Sequence, residues 1–356
     1  MLKNLKIFPK IFISCLLIVL VPLVGFFYQV YLNASEHKAI VEQRLLQTSE
    51  IIAGEVNGWM DKNVRSSDFL SSVDAFKTMD AKAQQPLLVA AKNNLEWASL
   101  IFVTDINGNA VSRSDGKTLK NYSDREYFKQ VKSGQPMGQQ VLIGKLKPIP
   151  LHCFAIPIKN DDRLMVGVIT QCSSLLSISN YIFETTIGST GYAFLVDEKN
   201  NVIANGGIKA VASLTEGLQS FSGHPALKLK SNKVTSLSYK GTDKVFVKRS
   251  VGSGWTLVVQ QDYTEAYENY LNAEWNAKIL SAATLIMTLL LSFLISYSIF
   301  SPIKQLTQAA DAFSKGLFTQ SVTGEDRKDE LGDLARAVAR MAKTIQIALT
   351  RLRKKK

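Results

Sequence analysis

Apolar residues run uninterrupted by charge over 11–32 and again over 279–300. At 1.5 Å of rise per residue, each 22-residue stretch is long enough as a helix to cross a bilayer core of about 30 Å. Between them lie about 245 residues with the mixed pattern of a globular region. From Asn33 the pattern turns amphipathic. Val41, Leu45, Thr48, Ile52, Val56 and Trp59 recur at steps of three and four, predicting one face of a long helix that leaves the first span and continues toward Phe69.

Beyond that helix the period shortens. Residues 99–105 and 110–114 predict strands joined by a tight turn at Asn107-Gly108. A short helix is predicted over 127–131, and further strands over 141–143, 151–158 and 164–170, separated by Gly, Pro and Asn160-Asp161-Asp162 turns. A helix over about 174–187 leads into a second round of the same plan. Strands are predicted at 192–197 and 202–205 around Asn200-Asn201, then near 235–239, 244–250 and 256–260. Two rounds of strand, Asp, turn, strand, excursion and paired return strands predict an α+β region of two similar antiparallel-sheet lobes on one helix. The distal lobe takes about 70–187 and the proximal lobe about 188–262, within a region 33–276.

After the second span, Ile303, Leu306, Ala310 and Phe313 form a stripe ending at Gly316, with Pro302 placed at a fresh helix start. A connector containing Leu317 and Val322 leads to Asp329-Glu330-Leu331-Gly332. From there Leu331, Leu334, Val338, Met341, Ile345, Ala348 and Leu352 alternate steps of three and four, a heptad seam. Two such helices cannot bury that seam alone, so a parallel four-helix bundle in a homodimer is expected.

Charge orients these pieces. Lys3, Lys6 and Lys10 precede the first span and Lys304 follows the second, which places both ends in the cytoplasm and the middle outside an inner membrane. Tyr28, Tyr31, Tyr267, Tyr270 and Trp275 suit an aromatic belt at the outer interface. A cleaved signal peptide would have a shorter apolar core, of about 7–15 residues. The net charge of +12 does not call for nucleic acid: residues 301–356 carry 12 Lys and Arg against 6 Asp and Glu, and residues 1–10 carry three Lys. Lipid headgroups are the fitting acidic partner.

Candidate chemistry is sparse. No Gly-rich phosphate loop, paired metal ligands or nucleophile with a visible base appears, so neither an enzyme nor a cofactor nor a metal site is expected. His37, His152 and His224 read as surface or filler residues. Cys153 and Cys172 are expected as diagonal neighbours on adjacent strands, with Thr170 opposite Cys153; an oxidising compartment permits a bond between them, but that placement favours two buried thiols.

The long leading helix, Phe102-Val103-Thr104-Asp105-Ile106-Asn107-Gly108, Asp124-Arg125-Glu126-Tyr127-Phe128, Ala155-Ile156-Pro157-Ile158 and Gly191-Tyr192-Ala193-Phe194-Leu195-Val196-Asp197 resemble, in order and spacing, the double Cache domain of bacterial sensors. Helix, connector and heptad helix over 301–353, with Pro302, Gly316, Glu330 and Leu331 as marker positions, resemble a HAMP domain. The resemblance implies two PAS-like lobes, a small-molecule ligand in the distal lobe, and a chemoreceptor-like relay to a cytoplasmic output. It also implies a ligand-contacting set of Arg125, Tyr127 and Phe128, with Tyr122, Asp105 and Arg113 nearby. The guanidinium of Arg125 is a rigid fork of donors suited to a carboxylate, with the aromatics as walls. The same residues also read as a surface pair between Arg125 and Asp124 or Glu126 over ordinary core aromatics.

In the amino-acid-binding branch, a Tyr and an Asp further along hold the ligand's ammonium; here those positions fall at Ile143 and Cys172. A buried ammonium without an anionic partner costs several kcal/mol, so a small organic acid or an uncharged metabolite is expected instead of a standard amino acid. With Lys356 as terminus the signal would pass to a separate cytoplasmic protein docked with the help of the basic tail 354–356. The rival expectation is a longer receptor, kinase or cyclase of which this is the sensory half. A non-catalytic membrane adaptor is a further rival.

Overall fold

The computed structural model describes residues 7–144, 149–207, 218–252, 254–317 and 321–353. Lys3, Lys6 and the basic tail 354–356 lie outside the described residues. The chain divides into two units, one of His37–Asn269 and one combining Met1–Glu36 with Tyr270–Lys356.

Helix α1 (Ile7–Ser71) continues from the first apolar stretch into the larger unit. Of its predicted stripe, Leu45, Ile52, Val56 and Trp59 are buried, joined by Ala53, Met60 and Leu70. Each large apolar side chain among them contributes roughly 1.5–3 kcal/mol by leaving water. Two shorter helices follow, α2 (Asp74–Lys77) and α3 (Ala81–Asn94). The Asp80 carboxylate starts α3 by accepting from the backbone N–H groups of Lys82 and Ala83.

The distal sheet contains β1 (Ala98–Asp105), β2 (Ala110–Arg113), β3 (Gly138–Ile143), β4 (Pro150–Lys159) and β5 (Met165–Ser174) in the order β2-β1-β5-β4-β3, every pairing antiparallel. Helix α4 (Glu126–Lys132) lies between β2 and β3 in sequence, and α5 (Leu176–Glu184) follows β5. The proximal sheet contains β6 (Tyr192–Val196), β7 (Val202–Asn205), β8 (Val234–Tyr239), β9 (Thr242–Val251) and β10 (Trp255–Asp262) in the matching order β7-β6-β10-β9-β8. The repeat extends to atoms. Asp105 accepts from the backbone of Asn107 and Asn109 and from the Asn109 side chain; Asp197 accepts from the backbone of Lys199 and Asn201 and from the Asn201 side chain. Each carboxylate thereby closes its own hairpin turn.

The distal sheet is apolar on both faces. One face packs Ile101, Val103, Ile156, Ile158 and Ile169 against Leu70, Phe76 and Leu88 of the preceding helices. The other packs Phe102, Ala155 and Val168 against Tyr127, Phe128 and Val131 of α4. A polar clip ties α1 to this sheet: buried Gln171 donates to Asn63 Oδ1 (2.7 Å), and the Ser173 hydroxyl donates to the same oxygen (2.5 Å). Beyond β10 comes α6 (Tyr263–Ala266), whose Glu265 accepts from the backbone and hydroxyls of Ser189 and Thr190. The backbone N–H of Ser189 is the foremost of several donors that hold this carboxyl well below the usual range.

In the second unit α7 (Glu268–Ser314) passes through Pro302 without a break, so the expected helix start at Pro302 is corrected. A single proline removes one i→i−4 bond, and the helical turns on both sides carry the helix across it. The buried residues after it are Leu306, Ala309 and Phe313, so Ala309 takes the place expected for Ala310. Gly316 ends the helix with φ +79°: its N–H donates to Phe313 O, and that of Leu317 to Ala312 O, a Schellman motif.

Helix α8 (Glu330–Arg353) follows the connector. Its Val338 and Ala342 meet Ala309, Phe313 and Val322, and Ala335 is buried, while Leu334, Met341 and Ile345 of the predicted seam stay exposed. Asp329 Oδ1 accepts from Gly332 N (3.1 Å) and pairs with Arg327. A Cβ on Gly332 would sit 2.1 Å from Arg327 O, so the fourth residue of this element has no room for a side chain.

Candidate functional site in the distal lobe

The α4 face of the distal sheet gathers most of the candidate residues. Helix α4 reaches it because β3 opens on Gly138, where a Cβ would lie 1.9 Å from Tyr127 O. With the helix that close, Tyr127 and Phe128 are buried against Phe102, Val131, Cys153 and Cys172. Burial, ahead of the charges around it, pushes the Tyr127 phenol well above its ordinary pKa.

Arg113 on β2 is nearly fully buried and bidentate to Asp115, with Nε–Oδ1 and Nη2–Oδ2 both 2.9 Å. Its Nη1 donates to the Tyr122 hydroxyl, whose ring stacks at a tilt on Phe102 with centroids 4.5 Å apart. Asp115 heads the influences that raise the Arg113 pKa, and Arg113 in turn lowers that of Asp115. This compact pair brings the Tyr122 ring to the edge of the cluster with its charge already neutralised. Asp115 escapes sequence reasoning, because an Asp two residues from an Arg before Gly116 reads as an ordinary turn residue.

Arg125 is the N-cap residue of α4. Its side chain is 27% exposed and pairs at 3.7 Å with the largely exposed Asp124, while Glu126 pairs with Lys129. The surface-pair alternative is realised in both parts, a long Arg125–Asp124 pair over two core aromatics, and the guanidinium stands at the same helix end as those aromatics. Ile143, at the end of β3, is half-buried and pairs with Pro150. Asp105 closes its turn; burial raises its pKa, but the donors from Asn109, Asn107 and Gly108 outweigh that and lower it overall.

The expected thiols are corrected: Cys153 and Cys172 form a disulfide, with Cα atoms 3.9 Å apart. Cys153 lies directly opposite Cys172 and not Thr170, because the β4–β5 register slips beyond Ile158 and Arg163 adopts φ +62° in the connecting loop. The bond lies buried within the apolar cluster, so the position aligned with an ammonium-binding acid carries no charge. The set Arg113, Tyr122, Tyr127, Phe128 and Cys172 is thus brought together with Arg125 at its helix end, whereas Asp105 is engaged in its turn.

At the other end of the chain Pro302 lies within α7, Gly316 caps it, Glu330 opens α8 and Leu331 is half-buried beside it. Asp329, Gly332 and Arg336 carry the local geometry: Arg336 Nη1 donates to Glu325 O and Arg327 O, both 2.7 Å. The Arg327 contact, foremost, brings the Asp329 pKa down to about 2.

A HAMP domain match covers residues 294–347. Among curated relatives, McpA, a methyl-accepting chemotaxis protein of Bacillus subtilis, is 22% identical over 362 residues, taking in 97% of this chain and 52% of that protein. McpC of the same organism is 26% identical over 190 residues, covering 49% and 26% respectively. The chain spans about half the length of the first of these relatives. Among solved structures, the sensory domain of the Campylobacter jejuni chemoreceptor Tlp3 superposes with a TM-score of 0.54 at 14% identity, covering 65% of this chain and 98% of that one. The same domain with isoleucine bound gives 0.53 at 13% identity, covering 65% and 97%. Both share the fold described above. A Cache domain match covers residues 33–270, about two thirds of the sequence, and on that extent the chain belongs to the Cache domain family.

Proposed function

We propose that this protein is the sensing and relay portion of a chemotaxis-type receptor in a bacterial inner membrane, binding a small carboxylate in the distal lobe. The observation that carries the ligand class is Arg125, a loosely held guanidinium at the head of α4 beside Tyr127 and Phe128. A fork of donors next to an apolar wall suits a carboxylate with an apolar remainder. The disulfide supplies no charge for an ammonium, which disfavours an amino acid, even though a solved relative has isoleucine bound.

Two helices, carrying the apolar stretches 11–32 and 279–300, are long enough to span the membrane, with the sensor outside and both ends in the cytoplasm. The exposed Leu334, Met341 and Ile345 on α8 suit a second copy, so the signal would travel as a change in packing of a four-helix HAMP bundle. The output is a cytoplasmic signalling protein in trans or a further domain of the chain, and the sensor itself is not catalytic.

The test is calorimetric titration of the purified protein in detergent with panels of organic acids and amino acids, alongside Arg125→Ala. An organic acid should bind, and Arg125→Ala should cost about 1.5–3 kcal/mol of that affinity. Undiminished binding to Arg125→Ala, or binding of amino acids alone, would reverse the assignment.

A further inference from the structure

The proximal lobe carries a separate groove where α1 runs beside β9. It has a volume of about 340 Å³, and Arg249 with its neighbours Ser231, Asn232 and Ser250 forms the strand side. Small residues on α1 hold it open: Ala53 lines it, and a Cβ built on Gly54 would meet no atom within 4 Å. Asn57 fixes the far wall by accepting from Gly252 N at 2.7 Å.

Arg249 is held edge-on to α1. Its Nε donates to Ser49 Oγ (3.2 Å) and its Nη2 to Leu46 O (3.4 Å), and the same Nη2 pairs at 4.0 Å with Glu50, a largely exposed side chain that also lines the groove. A guanidinium has five N–H donors, so three remain for a ligand on a side chain that the helix has already oriented. The surroundings favour an anion. Residues 225–250 contain seven Lys and Arg against one Asp, and Lys228, Lys230 and Lys233 are exposed.

We propose that this groove is a second ligand site, taking a small carboxylate on Arg249 with the Ser231, Asn232 and Ser250 side chains as further donors. Such a ligand touches β9 and α1 together. It therefore favours whichever arrangement keeps them at this spacing, and couples the proximal lobe to the helix that carries the first span. The site is independent of Arg125, so the two proposals fail separately.

The experiment uses the full chain in detergent carrying Arg125→Ala, with thermal shift and calorimetry against acetate, succinate and inorganic phosphate. At least one of the two carboxylates should stabilise this protein. Adding Arg249→Gln, which keeps a donor toward Ser49, should weaken that carboxylate at least tenfold. Adding Gly54→Leu, which fills the groove without removing a contact, should do the same while leaving the ligand-free melting temperature unchanged. Absence of any carboxylate effect, stabilisation by phosphate alone, or full affinity in both added variants would overturn the proposal.

Discussion

His152 lies on β4 with no exposure, between Phe154 at 4.0 Å, Trp255 of the proximal sheet at 4.6 Å and Trp59 of α1 stacked at 6.2 Å. Among the described residues neither ring nitrogen has a hydrogen-bond partner. Its neighbours across the sheet are Val141 and Ser173, and among the described residues no charged side chain of these elements acts on it; burial brings its pKa from 6.5 down to about 3. A folded pKa below the unfolded one means the stabilisation is complete above pH 6.5 and is lost as pH falls through and below that value. A tenfold change in proton affinity is worth about 1.36 kcal/mol, so the loss reaches about 2 kcal/mol at pH 5 and about 4 kcal/mol near pH 3.

The perturbation is His152→Leu. It removes the titrating ring and two unpaired buried nitrogens, so stability at pH 7 should stay level or rise. Urea unfolding of the full chain in detergent, followed by tryptophan fluorescence between pH 7.5 and 4.5, separates this group from the carboxylates, which titrate identically in both proteins. The wild-type curve should fall about 2 kcal/mol further than that of His152→Leu between pH 7 and 5. Parallel curves would refute the reasoning, since they would mean that the ring finds water or a partner in the folded state.

Glu265→Gln should loosen residues 188–190, because four donors now converge on its two oxygens; faster amide exchange confined to that segment is the expected readout. Replacing both Cys153 and Cys172 by Ala should cost about 3 kcal/mol in urea unfolding without reductant, given the short loop the bond closes. Gly332→Ala should lower the unfolding temperature of the second unit, since its Cβ meets Arg327 O; helix content by circular dichroism across the melt is the check, and an unchanged melt would contradict the close approach.

Much of the local structure was legible in residue order. The period-3.6 stripe on α1, the short apolar runs of the strands, the Asp-closed turns and the Gly316 stop are all encoded within a few neighbouring residues, so a linear pattern suffices for them. The repeat of those local patterns was enough to indicate two lobes. Contacts between distant segments were not encoded that way. One residue in the left-handed region at Arg163 and one bulge after Ile158 changed which residue faces Cys153, turning two expected thiols into a bond. The pairing of Arg113 with Asp115 and Tyr122, the orphaned ring of His152 between two lobes, and the choice of Ala335 over Leu334 as the inward face of α8 depend equally on sheet order, register and helix rotation. A slip of one or two residues, or of part of a helical turn, reverses each of these, and periodicity along the chain does not resolve differences that small.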